Sequence, residues 1–101
     1  MNNSLKPTID LLRSRREEII AIAAKHGASN IRVFGSVARG EATNTSDLDL
    51  LIDLDPERSL FNLIALKQEL EEVFNLQVDL VEPHSLHQLI RDRVLREAIK
   101  L

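Results

Sequence analysis

Residues 31–53, IRVFGSVARGEATNTSDLDLLID, decide how this chain folds. Ile31-Arg32-Val33-Phe34 is a short β-prone run, and Gly35-Ser36 ends it. A polar stretch through Ser46, with Gly40, Asn44 and two threonines, reads as an irregular or briefly helical loop. From Asp47 the pattern alternates with period two. Asp47, Asp49, Leu51 and Asp53 fall on one face, and Leu48, Leu50, Ile52 and Leu54 on the other. That is a strand with one apolar and one acidic face, closed by Pro56.

Outward from this stretch, Leu60, Leu63, Ile64, Leu70 and Phe74 mark an amphipathic helix over about residues 59–74, which covers the apolar face. Residues 77–81 repeat the alternation, with Val78 and Leu80 on one side and Gln77, Asp79 and Val81 on the other. Ser85, with Gln88 three positions on, has the form of a capping box that opens a last helix carrying Leu86, Leu89, Ile90 and Val94 and reaching Ile99. Upstream, Thr8 caps a helix after Pro7, and Ile9, Leu12, Ile19, Ile20 and Ala23 carry it over about residues 9–26, to Gly27. The expected fold class is α/β, a small mixed β-sheet of at least three strands. Its helices pack mainly on one face, and its carboxylates lie on the other face or at the edge. Leu95 and Leu101 read as exposed apolar positions at the end of the last helix, suited to a protein interface.

With 101 residues, the chain has the size of one domain, spanning 1–101, with room for one core and one site. Three Phe and no Trp or Tyr make the expected core aliphatic. The absence of cysteine rules out disulfides and thiolate metal sites and fits a reducing compartment, so the expected location is cytoplasmic. No run approaches the roughly 20 apolar residues of a membrane helix, and MNNSLKPTID lacks the layout of a signal peptide. A formal charge of −3 argues against direct nucleic-acid binding, which uses a basic face. Arg13, Arg15 and Arg16 run straight into Glu17 and Glu18, a solvated helix face. His26, His84 and His87 form no ligand set.

Asp47 and Asp49 are two apart on one strand, so their carboxylates project from the same face roughly 6–7 Å apart. If the strand of Asp79 lies alongside in register, Asp79 joins them in a three-carboxylate cluster; Glu82 competes with it as third acid. An oxygen-only set of this kind suits Mg²⁺ or Mn²⁺ and not Zn²⁺. Carboxylates this close repel and raise one another's pKa, which costs stability unless a cation binds. Gly35 allows backbone amides to approach a phosphate, the Ser36 hydroxyl adds a donor, and Arg39 is three residues further on. Alone, a Gly-Ser is ordinarily a turn and an Asp-x-Asp ordinarily a strand surface. Strand, Gly-Ser, ten residues, Asp-x-Asp and a third acid on a third strand make a stronger pattern together.

Gly35-Ser36, ten residues, Asp47-Leu48-Asp49 resembles the Gly-Ser-x₁₀-Asp-x-Asp signature of the polymerase-β-like nucleotidyltransferase superfamily. The surrounding stretch looks especially like the minimal nucleotidyltransferases (MNT proteins), including antitoxins paired with HEPN-domain ribonuclease toxins, and the likeness spans about residues 9–99. The resemblance implies the nucleotidyltransferase fold, Mg²⁺ held by Asp47, Asp49 and Asp79, and the triphosphate contacted by Gly35 and Ser36. It implies ATP as donor and AMP transfer to a tyrosine of a HEPN toxin in a hetero-oligomer. With no tyrosine in this chain, a tyrosyl acceptor belongs to the partner. Two other functions compete: an antitoxin that masks its partner without chemistry, and nucleotidyl transfer to a small molecule, for which the chain has no acceptor domain.

Overall fold

The computed structural model describes residues 6–101. Their elements are α1 (Ile9–Ser14), α2 (Arg16–Lys25), β1 (Ala28–Phe34), α3 (Gly35–Ala38), β2 (Leu48–Leu54), α4 (Leu60–Phe74), β3 (Val78–Val81), a 3-10 turn (Pro83–Ser85), α5 (Gln88–Glu97) and β4 (Ile99–Lys100). The four strands form one sheet in the order β3-β2-β1-β4. β1 is antiparallel to both β2 and β4, and β2 is parallel to β3. The parallel pair needs a crossover, which α4 supplies. The sheet is therefore mixed, as the sequence predicts, with a fourth strand added.

The alternation of β2 sends Leu48, Leu50 and Ile52 into one aliphatic cluster with Val33 of β1 and Val78 of β3. Leu12, Ile19, Ile22 and Ala23 cover it from α1 and α2, and Leu66 and Leu70 from α4. No polar side chain is buried among the described residues. Lys25 and His26 reach Glu69 of α4 at 2.7 and 2.8 Å, tying the two covering helices together at the rim. Leu51 is fully buried yet lies outside the cluster, on the acidic face, where the 3-10 turn packs against β2.

The predicted helix over residues 9–26 is broken at Arg15 (φ −117°, ψ 22°), whose guanidinium stacks 4.5 Å above the Phe74 ring and pairs with Glu18 at 2.7 Å. A cation over an aromatic face is a tertiary anchor that apolar periodicity does not encode. In α4 the buried stripe is Leu66 and Leu70 with Leu63, Val73 and Phe74 alongside. Leu60 is 67% exposed and Ile64 is also exposed, because the first turn of the helix carries its apolar side chains away from the cluster. β1 starts three residues earlier than expected, accommodated by an irregularity between Ser29 and Arg32 in which Asn30 has φ 53°.

The last helix also begins and ends differently. Pro83 opens a 3-10 turn, Leu86 is extended, and His87 caps α5 by accepting from Leu89 N–H through Nδ1 at 3.1 Å. Ser85 instead bonds the Glu82 carbonyl, so the expected capping box is not made. The helix stops at Glu97, and Ile99 belongs to β4. Leu101, expected to be exposed, is only 8% exposed: its N–H donates to the Ile31 carbonyl at 3.0 Å and its side chain joins the core. Leu95 is exposed as expected, with Ile90 and Leu89 on the same helix. No helix among the described residues is long and apolar enough to cross a membrane.

Candidate active site

The parallel register of β2 and β3 pairs Leu48 with Val78, Asp49 with Asp79 and Leu50 with Leu80. Asp49 and Asp79 thereby become neighbours on the acidic face. Burial first, then the charge of Asp79, a hydrogen bond to it, and the charge of Asp47 push the Asp49 carboxyl from the ordinary 3.8 up to about 6. Arg39 pulls weakly in the other direction. Asp47 precedes β2 and is exposed. Glu82 follows β3 and sits beside His84 at 3.9 Å, outside the Asp49–Asp79 register.

Asp49 and Asp79 are thus the paired carboxyls of the site, and Asp47, in the loop before β2, adds its charge to them. No three His, Cys, Asp or Glu side chains among the described residues converge into a ready cage for a metal ion. Such an arrangement fits Mg²⁺ well, since this ion keeps waters and is shared between one or two carboxylates and substrate phosphates. It does not fit a cation that demands a full protein cage.

Gly35 directly follows Phe34, which pairs with Asp49 across β1 and β2. The glycine has φ 74°, and a Cβ built there would fall on the Asp49 Oδ2 oxygen. Only glycine satisfies both conditions, so the turn and the acid are packed as one unit. Ser36 and Val37 continue into α3, closed by Arg39 N–H to the Gly35 carbonyl and Glu41 N–H to the Ser36 carbonyl. Arg39 is held by carboxylates: its Nε donates to Glu41 at 2.8 Å and its Nη1 to Glu97 at 2.9 Å. Its guanidinium is stabilised in charged form, first by Glu41 and then by Glu97.

Sequence reasoning missed three groups here. Glu97, at the end of α5, accepts from the Gly35 amide at 3.0 Å as well as from Arg39. Glu71 of α4 accepts from Val78 N–H at 3.0 Å and from Lys67 at 2.9 Å, fixing the start of β3. Lys67 is raised chiefly by Glu71 and also feels Asp79 and Asp47. The i,i+4 spacing of Lys67 and Glu71 is visible in the sequence, but their closeness to the acids is not. Glu97 carries no local signal, because 62 positions separate it from Gly35. The three histidines lie in separate places, on Glu69, beside Glu82 and at the α5 cap.

Comparison with known proteins gives one consistent result. The nucleotidyltransferase domain family matches residues 16–101. A Methanocaldococcus jannaschii chain assigned as a protein adenylyltransferase is 44% identical over 84 residues, which are 83% of this chain and 90% of that one. The protein adenylyltransferase MntA of Thermococcus cleftensis is 42% identical, over 82% of this chain and 92% of its own. Among solved structures, a chain described as a minimal nucleotidyltransferase superposes with a TM-score of 0.85 at 44% identity, covering 99% of this chain and 100% of that one. A Shewanella oneidensis complex of a tri-AMPylated HEPN toxin with its MNT antitoxin shares the fold at a TM-score of 0.65 and 19% identity, over 87% of this chain and 69% of that one. With a Gly-Ser turn packed on a strand carboxylate and a second acid in parallel register, this chain belongs to the nucleotidyltransferase domain family, in its minimal, protein-adenylyltransferase branch.

Proposed function

We propose that this chain transfers AMP from Mg²⁺-ATP to a tyrosine hydroxyl of a HEPN-domain ribonuclease toxin, acting in the cytoplasm as its antitoxin. The observation that carries this reading is the packing of Gly35 on Asp49, with Asp79 beside it in register. Support for the donor and the partner comes from the relatives named as protein adenylyltransferases and from the AMPylated HEPN toxin bound to an MNT antitoxin of the same fold.

In this reading Asp47, Asp49 and Asp79 hold Mg²⁺, and Gly35, Ser36 and Arg39 receive the triphosphate. Bound Mg²⁺ supplies charge neutralisation at the phosphate oxygens. Asp47 and Asp49 orient the nucleotide through their carboxylates, and the Gly35–Ser36 turn fixes the phosphates against them. The acceptor hydroxyl forms a new bond to the α-phosphorus, and the bond from that phosphorus to the bridging oxygen breaks. Pyrophosphate departs with those electrons, and the hydroxyl proton passes to Asp79. The exposed Leu89, Ile90 and Leu95 of α5 offer the partner apolar contacts.

The test is to incubate the protein with Mg²⁺, ATP labelled on the α-phosphate and its HEPN partner, beside an Asp47→Ala/Asp49→Ala variant. The reading predicts a mass gain of one or more AMP on a partner tyrosine, absent with the variant. Inhibition of the partner by both proteins without label would replace it with masking by binding alone.

A further inference from the structure

The Gly35 amide and the Arg39 guanidinium, two donors that the proposed function gives to the triphosphate, already hold a carboxylate. Glu97 Oε1 accepts from Gly35 N–H at 3.0 Å and from Arg39 Nη1 at 2.9 Å. This side chain is 22% exposed and is anchored on both sides. α5 ends on it, and after Ala98 the residues Ile99 and Lys100 pair with Val33 and Arg32 of β1. The strand that ends in the Gly35 turn therefore also fixes the segment that delivers Glu97.

One oxygen taking a backbone N–H and a guanidinium N–H together is how these donors would receive a phosphate oxygen, with the same sign of charge. We infer that Glu97 sets the nucleotide affinity of this site by holding the place of a phosphate group, so that the triphosphate gains Gly35 N–H and Arg39 Nη1 only by displacing it. The inference rests on the nucleotide reading of the site. Displacement is local. Arg39 keeps Glu41 through Nε at 2.8 Å, so only the Nη1 edge changes hands. While Glu97 stays in place, its negative charge also opposes the phosphate electrostatically.

The experiment is isothermal titration of the intact protein with ATP plus Mg²⁺, and separately with inorganic tripolyphosphate plus Mg²⁺, for the wild type, Glu97→Ala and Glu97→Gln. Thermal melts of each protein verify folding. The expected result is a Kd about 10-fold lower in Glu97→Ala, equivalent to about 1.4 kcal/mol. A smaller gain of about 3-fold is expected in Glu97→Gln, which keeps an acceptor oxygen but loses the charge. Tripolyphosphate should show the same order, because the contest is for phosphate donors and not for the base. Wild-type binding with unchanged or weaker binding in both folded variants would overturn the inference alone and make Glu97 a support for Arg39. Failure of all three proteins to bind ATP would overturn the nucleotide reading and this inference with it.

Discussion

The two ends of β2 carry acids of the same kind on the same face and treat them in opposite ways. At the far end, Asp53 is matched from within the chain: Arg32 reaches its Oδ1 at 3.0 Å and Asn30 its Oδ2 at 2.9 Å. At the near end, Asp49 is packed between the Gly35 turn and Asp79, with Asp47 adding further negative charge. Arg39, the cation that acts on Asp49, is itself bonded to Glu41 and Glu97. One end is a closed salt bridge, and the other is left short of positive charge. A strand surface needs only the first arrangement; the second makes sense where a cation arrives from outside.

The largest expected break in this comparison, on a par with Asp49→Asn, is Asp79→Asn. It should lower AMP transfer about 1,000-fold, the scale expected when charge stabilisation and proton acceptance fail together, while thermal melting stays intact. A label-transfer rate within about 3-fold of wild type would remove Asp79 from the chemistry. Gly35→Ala should come next. Its Cβ meets Asp49 at a backbone with φ 74°, so about 1–3 kcal/mol of stability should be lost, measured by denaturant unfolding, together with most of the transfer activity. A fully stable variant would mean that turn and acid are not packed as one unit.

The comparison also has a stability signature. Asp49 has a folded value of about 6 against 3.8 as an ordinary aspartate, so it binds its proton more tightly in the folded chain. Below about pH 4 the carboxyl is protonated in both states and costs nothing. Stability falls as the pH rises toward 6, and above that the full cost is present. The shift alone corresponds to about 3 kcal/mol, which solvent screening of this half-buried group reduces to about 1 kcal/mol. Asp49→Asn should therefore stabilise the metal-free protein by about 1 kcal/mol at pH 7.5 and by nothing near pH 3.5, whereas Asp53→Asn should destabilise it by up to about 1 kcal/mol. Chemical denaturation at both pH values checks the sign. The smallest effect is expected from Mg²⁺ alone: a rise of a few degrees in the wild-type melting temperature that is absent in Asp49→Asn.

Much of this was legible in the residues. Alternation along residues 47–54 and 77–81 located two strands and put Asp49 and Asp79 on faces that could meet, because a period of two leaves few choices. The spacing from Gly35-Ser36 to Asp47 and Asp49 then marked the family. The structure adds the parallel register that sets Asp79 beside Asp49; the residues alone favour Asp79 as third acid and leave Glu82 as its competitor. Ile99 could not be separated from the preceding helical pattern, since two residues of edge strand carry no periodicity of their own. Glu97 was invisible for a related reason: its bond to Gly35 is purely tertiary, and a helix-end glutamate ordinarily faces solvent.

The most direct test of the contrast between the two ends of β2 is the single-turnover rate of AMP transfer from α-labelled ATP to the HEPN partner, for Asp49→Asn beside Asp53→Asn. A loss of about 1,000-fold is expected in the first and a rate within about 3-fold of wild type in the second. Equal losses in both, or a rate preserved in Asp49→Asn, would contradict that contrast.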